Sequence, residues 1–409
     1  MTDNPKPVEP TGPSFTPCSG DTWRDPFGMY AELRDQDPVH HVAKGDYWVL
    51  SRFDDVLDAA RDHRRFSSAE GLTFSYGERQ RAGLTEVAPM VMLDPPEHTA
   101  FRRLVSSHFT PLAVTRIEGE VRAFVQSRLN EVATAAADHP DGEVDIVAAL
   151  LKPLPSMVVA HFLGVPESDR ANFDRWTEAI VSANAQGDAL QASDAVGELF
   201  GYFSSLIARR GDHPSNDTIS SLVHTTDGPT PMQILGFAFT MVAGGNDTTT
   251  GLLGGSLELL SAHPEQRAAL VERPDLIGDA LEELLRLTCP VQGLARTTTT
   301  DVELHGRVIP VGKKVMLLYA SANRDPREFG DDAEEFDIRR QPRQILSFSS
   351  GAHHCLGAAA ARLQGRVALE EILGRFPNYE LDVERATFAP GSFVRRHQSL
   401  PMRPYGRLA

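Results

Sequence analysis

A cysteine held between two glycines is the clearest candidate for chemistry in this chain. The stretch from Phe348 to Gly357 reads Phe-Ser-Ser-Gly-Ala-His-His-Cys-Leu-Gly and sets Cys355 between Gly351 and Gly357. Glycine is favoured where a side chain would block a close approach or where φ is positive. An alanine-rich helix is predicted directly after the cysteine, and the positive end of its dipole favours a thiolate. Such a cysteine is a metal ligand, a nucleophile or simply a small buried residue.

A second candidate lies inside the longest helical pattern, which Pro231 opens and which runs to about Ala262. Its interior reads Ala-Gly-Gly-Asn-Asp-Thr-Thr-Thr from Ala243 to Thr250. Each glycine costs a helix about 1 kcal/mol relative to alanine, and a buried Asp247 is costly unless it is satisfied. Such conflicts are expected at functional sites, although a kink against a closely packed helix is the alternative.

Two charged pairs have helical spacing but are weak signals alone. His98 and Arg102 are four residues apart after a proline-rich helix start, and Glu283 and Arg286 are three apart. Both pairs place their side chains on one helix face. Solvated surface charges are the commoner explanation for such pairs, so their meaning depends on the rest of the chain.

Together these motifs resemble the cytochrome P450 superfamily, in its soluble actinobacterial form. Phe348, Gly351, His353, Cys355 and Gly357 match its haem-binding signature, although Ser349 stands where the family usually has glycine. The resemblance implies haem b as cofactor, with Cys355 as the thiolate ligand of its iron. It also implies four partners for the haem propionates, which are His98, Arg102, Arg296 and His353.

The long helix matches the family's oxygen-activation motif at Gly244, Gly245, Asp247 and Thr248. The resemblance therefore implies a monooxygenase in which Asp247 and Thr248 act as an acid and alcohol pair. It further implies that Glu283 and Arg286 support the cysteine loop. The family completes that network with an arginine before a phenylalanine, whereas Glu335 precedes Phe336 here, which leaves the third partner open.

The predicted fold is mostly α with small β-sheets, a cytochrome P450 fold with a long central helix over a buried haem. Residues 1–409 are expected to form one domain, with 1–20 as a disordered lead-in rich in proline. The lead-in has no apolar run typical of a signal peptide or a membrane anchor. Cysteine occurs only at 18, 289 and 355, which indicates a reduced, cytoplasmic setting.

The formal net charge of −16 argues against nucleic acid as a partner. The resemblance implies O2 and a separate ferredoxin, reduced by a flavoprotein reductase, as partners. Arg103, Arg339, Arg340 and Arg343 are candidates for a basic docking patch on this acidic protein.

An apolar pocket is predicted to take a small lipophilic substrate whose identity stays open. Its expected walls are Leu72, Phe74, Met90, Met92, Phe239, Val242, Ala243, Gly244, Val291, Leu294, Phe393 and Val394. Two alternatives remain. A zinc site at His353, His354 and Cys355 lacks spaced partners, and a non-catalytic haem carrier or sensor is disfavoured by the acid and alcohol pair.

Overall fold

The computed structural model describes residues 12–81, 88–186 and 193–406 of the chain. Helices dominate it, and the strands form small sheets, as predicted. The helices are α1 (Phe27–Gln36), α2 (Phe53–Arg61), α3 (Glu78–Arg81), α4 (Glu97–Val105), α5 (Pro111–Thr115), α6 (Glu118–Asp138), α7 (Pro153–Leu163), α8 (Arg170–Gln186), α9 (Ser193–Asp212), α10 (Thr218–Val223), α11 (Pro231–Ala262), α12 (Pro264–Glu272), α13 (Ile277–Thr288), α14 (Tyr319–Ala322), α15 (Pro326–Phe329) and α16 (Ala358–Arg375).

The central helix α11 has the predicted bounds because its start is strongly specified. The Thr230 hydroxyl accepts a hydrogen bond from the Gln233 amide, and the Gln233 side chain accepts one from the Thr230 amide, which together form a capping box. Pro231 fits the first helical position, where no amide hydrogen is needed. The helix packs against α7, α8, α13 and α16 in the larger hydrophobic core. No helix in the described residues is long and apolar enough to cross a bilayer.

The strands are short and gather into four sheets in the described residues. They are β1 (Val39–Val42), β2 (Tyr47–Leu50), β3 (Phe66–Ser67), β4 (Val144–Asp145), β5 (Leu294–Thr298), β6 (Val302–Leu304), β7 (Arg307–Ile309), β8 (Lys314–Leu317), β9 (Glu380–Leu381), β10 (Thr387–Phe388), β11 (His397–Ser399) and β12 (Pro401–Arg403). The largest sheet has the order β1-β2-β8-β5-β3, in which only β2 and β8 are parallel. Smaller sheets join β4-β12-β9, β10-β11 and β6-β7.

Ordered structure begins closer to the N-terminus than predicted. Residues 1–11 of the expected lead-in lie outside the described part of the chain, but Phe15 and Cys18 are buried. The Phe15 ring meets the Tyr47 ring edge-on, with centroids 6.5 Å apart. Burial of these apolar side chains stabilises the segment against the sheet. The prediction of disorder was therefore wrong for residues 12–20.

Candidate functional site

The loop before α16 presents Cys355 through a tight backbone turn. The Cys355 amide donates to the Phe348 carbonyl over 2.9 Å. Gly351 has φ of +69°, and a Cβ there would lie 2.9 Å from the Ala60 carbonyl oxygen at the end of α2, so both predicted reasons for glycine apply. Gly357 has φ of −84°, and a Cβ there would meet only the Cys355 sulfur at 3.9 Å. Neither strain nor protein packing requires glycine at 357.

Ser349, the departure from the family pattern, keeps the turn that glycine would make. Its φ of +57° lies in the left-handed region, which costs a residue with a Cβ about 1–2 kcal/mol. Its hydroxyl lies 3.1 Å from the buried Tyr319 hydroxyl, and this hydrogen bond offsets part of the cost. The substitution therefore leaves the path of the loop intact.

The environment of Cys355 suits a metal-bound sulfur better than a free thiolate. The residue is solvent-accessible on one side, while the protein packed around its other sides raises the pKa of the thiol. The Gly357 amide, Arg102 and Arg362 act in the opposite direction but do not prevail, so the expected thiolate does not follow from the helix alone. A bound metal ion deprotonates a coordinating thiol. Among the described residues no three His, Cys, Asp or Glu side chains group as a metal site, which leaves the zinc alternative unsupported.

The four predicted propionate partners lie close to one another. The His98 and His353 rings are 4.2 Å apart between centroids, and an Arg102 NH donates to the Ala352 carbonyl over 3.3 Å. Burial, followed by the nearby charge of Arg296, lowers the pKa of His353 to about 3. Burial and the charge of Arg102 also lower the pKa of His98. Burial among arginines thus favours the neutral form of both histidines, and a neutral imidazole still offers one N–H donor.

The cluster of His98, Arg102, Arg296 and His353 carries positive charge and hydrogen-bond donors that the described protein groups do not fully pair. Arg296 is 3% exposed, and its guanidinium donates to the neighbouring Ala295 carbonyl. His98 is 1% exposed, and its Nδ1 has no hydrogen-bond partner among the residues that the structure describes. In the described ranges neither Arg102 nor Arg296 forms an ion pair with a carboxylate. Buried charge of one sign requires a counter-charge, so two carboxylates of a ligand, such as the propionates of haem, fit this donor set.

The two glycines of the α11 motif have different roles. A Cβ on Gly245 would lie 2.7 Å from a methyl group of Val159 on α7, so this position supports the packing alternative. Gly244 is exposed, and a Cβ there would meet nothing within 4 Å. The half-buried Thr248 hydroxyl donates to the Gly244 carbonyl over 3.0 Å, one turn earlier in the helix. The open space beside Gly244 and the Thr248 hydroxyl therefore lie next to each other on α11.

Asp247 is satisfied by a residue that sequence reasoning missed. An Arg396 nitrogen lies 2.5 Å from the Asp247 carboxylate, and the two side chains are 2% and 16% exposed. Burial raises the pKa of Asp247 to about 6, against the opposing charges of Arg396 and Lys152. The carboxyl group can therefore exchange a proton near neutral pH. The one sequence signal for Arg396 was a pair of arginines directly after the apolar residues Phe393 and Val394.

The Glu283 and Arg286 pair is fully buried, and Arg340 completes it. Arg286 donates to both Glu283 carboxylate oxygens over 2.7 Å, and both side chains are 0% exposed. Arg340 approaches the same carboxylate at 3.2 Å and binds Asp332 at 2.7 Å. The third partner of the network, which the sequence left open because Glu335 precedes Phe336, is therefore Arg340, four residues after that phenylalanine. Arg340 is therefore engaged in this network, and its place in the predicted docking patch was wrong.

The predicted pocket residues divide by exposure. Val242 is 0% exposed and packs in the larger core, so it has no surface to offer a substrate, and its assignment to the pocket was wrong. Met90 and Met92 are also buried, at 6% and 8% exposed. Partial or full exposure is shared by Leu72, Phe74, Phe239, Ala243, Gly244, Val291, Leu294, Phe393 and Val394. The Phe74 and Phe393 rings lie 5.2 Å apart, and Val291 pairs with Val394, which brings three separate segments together.

Comparison with known proteins places this architecture in one family. The family described as cytochrome P450 matches residues 208–396. Cytochrome P450 130 of Mycobacterium tuberculosis is 55% identical over 95% of this chain and 97% of its own length. Vitamin D(3) 25-hydroxylase of Pseudonocardia autotrophica is 33% identical over 94% of this chain and 95% of its own.

A solved structure shares the fold over nearly the whole chain. Cytochrome P450 CYP109E1 of Bacillus megaterium, in complex with testosterone, superposes with a TM-score of 0.81 and 30% identity, covering 93% of this chain and 99% of that one. Identity at this level over this length shows common family membership. The chain belongs to the cytochrome P450 family, whose members are haem b-dependent monooxygenases.

Proposed function

We propose that this protein inserts one oxygen atom from O2 into a small lipophilic substrate. The observation that carries the proposal is the acid and alcohol at Asp247 and Thr248, next to the open space beside Gly244 on α11. A carrier or sensor would need the haem ligand Cys355 but not the acid and the alcohol on α11. The pKa of about 6 for Asp247 supports the catalytic alternative.

The proposed haem site uses the residues of the cysteine loop and the cationic cluster. Cys355 would ligate the iron, with the Gly357 amide as a hydrogen-bond donor to the sulfur. Phe348 would shield this loop, and its ring already stacks with the Arg362 guanidinium at 4.6 Å. The propionates would pair with Arg102 and Arg296 and accept hydrogen bonds from His98 and His353, and Gly351 keeps the loop against α2. When bound, haem supplies the iron that binds and activates dioxygen.

The protein's own contribution is to hold and move protons beside the oxygen site. Thr248 offers a hydroxyl that now donates to the Gly244 carbonyl and that can turn toward a bound ligand. Asp247 can release a proton near pH 6 and regain it from solvent. The helix itself stays continuous through this region, so the groove arises from the missing side chain of Gly244.

The substrate is proposed to be lipophilic because the exposed pocket residues are apolar. Phe74 lies against Phe393, and the neighbouring Val394 pairs with Val291, so these partly exposed residues present carbon surface to one region. One relative is a vitamin D(3) hydroxylase, and one solved neighbour holds testosterone, both of which concern lipophilic molecules. A low-spin to high-spin shift of the Soret band on addition of compounds would identify binders.

Electrons are proposed to come from a separate ferredoxin, reduced by a flavoprotein reductase, in the cytoplasm. Arg103, Arg339 and Arg343 are exposed and form no ion pair within the described residues. They are suited to an acidic donor, since exposed charge of opposite sign speeds association. Arg340 is not part of this surface because it is bound to Glu283 and Asp332.

Replacement of Thr248 tests the proposed function directly. Thr248→Ala should still consume electrons but release peroxide in place of product. Thr249→Ala is the matched control, because Thr249 makes the same bond to a carbonyl one turn back but is 3% exposed. Equal yields of product per electron in wild type and Thr248→Ala would refute the proposed role, and no turnover of any lipophilic substrate by wild type would favour a carrier or sensor.

A further inference from the structure

The segment that carries Arg396 lies very close to α11 because glycines on the helix leave room for it. A Cβ on Gly251 would lie 2.6 Å from the Arg395 carbonyl oxygen, and one on Gly254 would lie 2.7 Å from His397 Nδ1. Real Cβ atoms do not approach so closely, so each glycine permits this contact. Gly251 is one helical turn after Asp247 and therefore lies on the same face of α11. The glycines thus bring the backbone of this segment to the side of the helix that carries the acid.

The same segment is fixed on its other side by hydrogen bonds. The Arg395 amide donates to the Pro290 carbonyl, and the Gln292 amide donates to the Phe393 carbonyl, both over 2.8 Å. The Arg395 guanidinium donates to the Trp23 carbonyl over 2.7 Å and lies 3.3 Å from Glu258. The backbone that presents Arg396 is therefore anchored independently of Asp247.

The surroundings of Asp247 leave Arg396 as its direct ionic partner. Lys152, which precedes α7, is the second cation that acts on Asp247, but its ammonium group lies 3.3 Å from Glu178 of α8. Arg395 and His397, the charged and titratable neighbours of Arg396 on its own segment, face Glu258 at 3.3 and 3.6 Å. Arg396 also donates to the Gln398 side chain over 3.3 Å. Buried at 2% exposure, its charge is little screened by solvent.

We propose that Arg396 is a positioning residue that holds the Asp247 carboxylate in place on α11. It also stabilises the ionised form of this carboxylate after Asp247 has given up a proton. The inference rests on the proposed function of Asp247 as a proton source. In the proposed step the Asp247 carboxylic acid loses a proton to a water or hydroxyl in the groove, remains as a carboxylate paired with Arg396, and is reprotonated from solvent. Arg396 itself stays protonated throughout.

Infrared titration of the haem-loaded protein tests this without turnover. The carbonyl band of protonated Asp247 is isolated by subtracting the spectrum of Asp247→Asn. Loss of a nearby opposite charge raises a carboxyl pKa by roughly 1–3 units, so in Arg396→Gln the band should persist to a pH higher by about that amount. Arg396→Lys keeps a positive charge and should shift the titration less, which also provides a folded variant if the glutamine variant is unstable.

Arg395→Gln is the matched control, because Arg395 is also buried on the same segment but binds Trp23 and Glu258. It should leave the titration of Asp247 unchanged. The pH profile of product yield should move with the infrared titration in the Arg396 variants. An unchanged Asp247 titration in Arg396→Gln, or an equal shift in Arg395→Gln, would overturn the proposal. Full product yield in Asp247→Asn would instead overturn the role of Asp247 in catalysis, whatever the infrared result.

Discussion

Replacement of Arg340 by glutamine tests which residue completes the buried network around Glu283. Arg340 donates to the fully buried Glu283 carboxylate and also to Asp332 and the Phe329 carbonyl. A hydrogen bond to a charged group contributes about 1.5–3 kcal/mol, and Arg286 remains as the other partner of Glu283. Arg340→Gln should therefore lower the free energy of unfolding by about 2–3 kcal/mol, less than the roughly 3–5 kcal/mol expected when a buried pair is broken by Arg286→Gln.

The assay is guanidinium denaturation of the haem-loaded protein, followed by far-ultraviolet circular dichroism and by the Soret band. Arg339→Gln is the control, since Arg339 is exposed and its side chain forms no ion pair among the described residues. Its effect should stay within about 0.5 kcal/mol. Equal midpoints for Arg340→Gln and Arg339→Gln would refute the assignment of Arg340 as the third cation.

Three further predictions use other parts of the structure. Gly351→Ala should destabilise the protein by about 2 kcal/mol or more, because φ at this position is positive and a Cβ would collide with α2. Gly374→Ala, on the exposed face of α16, should instead stabilise the protein by up to about 1 kcal/mol. Denaturation midpoints of the two variants check both signs. Because the folded protein raises the pKa of Asp247 from 3.8 to about 6, the stability of wild type relative to Asp247→Asn should fall by up to about 3 kcal/mol as pH rises from about 4 to 7; parallel denaturation curves across that range would contradict this. Neutralising Arg103 and Arg343 should slow reduction by an acidic ferredoxin at low salt and have little effect at high salt, as stopped-flow measurements would show.

Local signals in the sequence were sufficient for much of the architecture. The bounds of α11 agree with the prediction because Pro231 marks its start, and Gly45 and Asp46 mark the turn between β1 and β2 in the same local way. Gly306, with a φ of +72°, likewise marks the turn between β6 and β7. These elements depend on neighbours in sequence, and such signals can be read from one chain.

Contacts between segments far apart in the sequence could not be predicted from local sequence signals. Arg340 and Arg396 reach their carboxylates from irregular segments, where no periodicity indicates which way a side chain points. Val242 was assigned to the pocket by its place near the α11 motif, but a helix buried on most sides does not reveal which face lines a cavity. The lowered pKa of His98 and of His353 likewise follows from burial among cations, which spacing alone does not convey.

The central claim is that Cys355 ligates the haem iron through its sulfur. The absorption spectrum of the reduced, carbon monoxide-bound protein tests it most directly, because the Soret band distinguishes thiolate from imidazole ligation. Wild type and Cys18→Ala, which removes a buried cysteine packed with Trp23 and Phe388, should both give the thiolate spectrum, and Cys355→His should give the imidazole spectrum. A thiolate spectrum retained in Cys355→His would contradict the account.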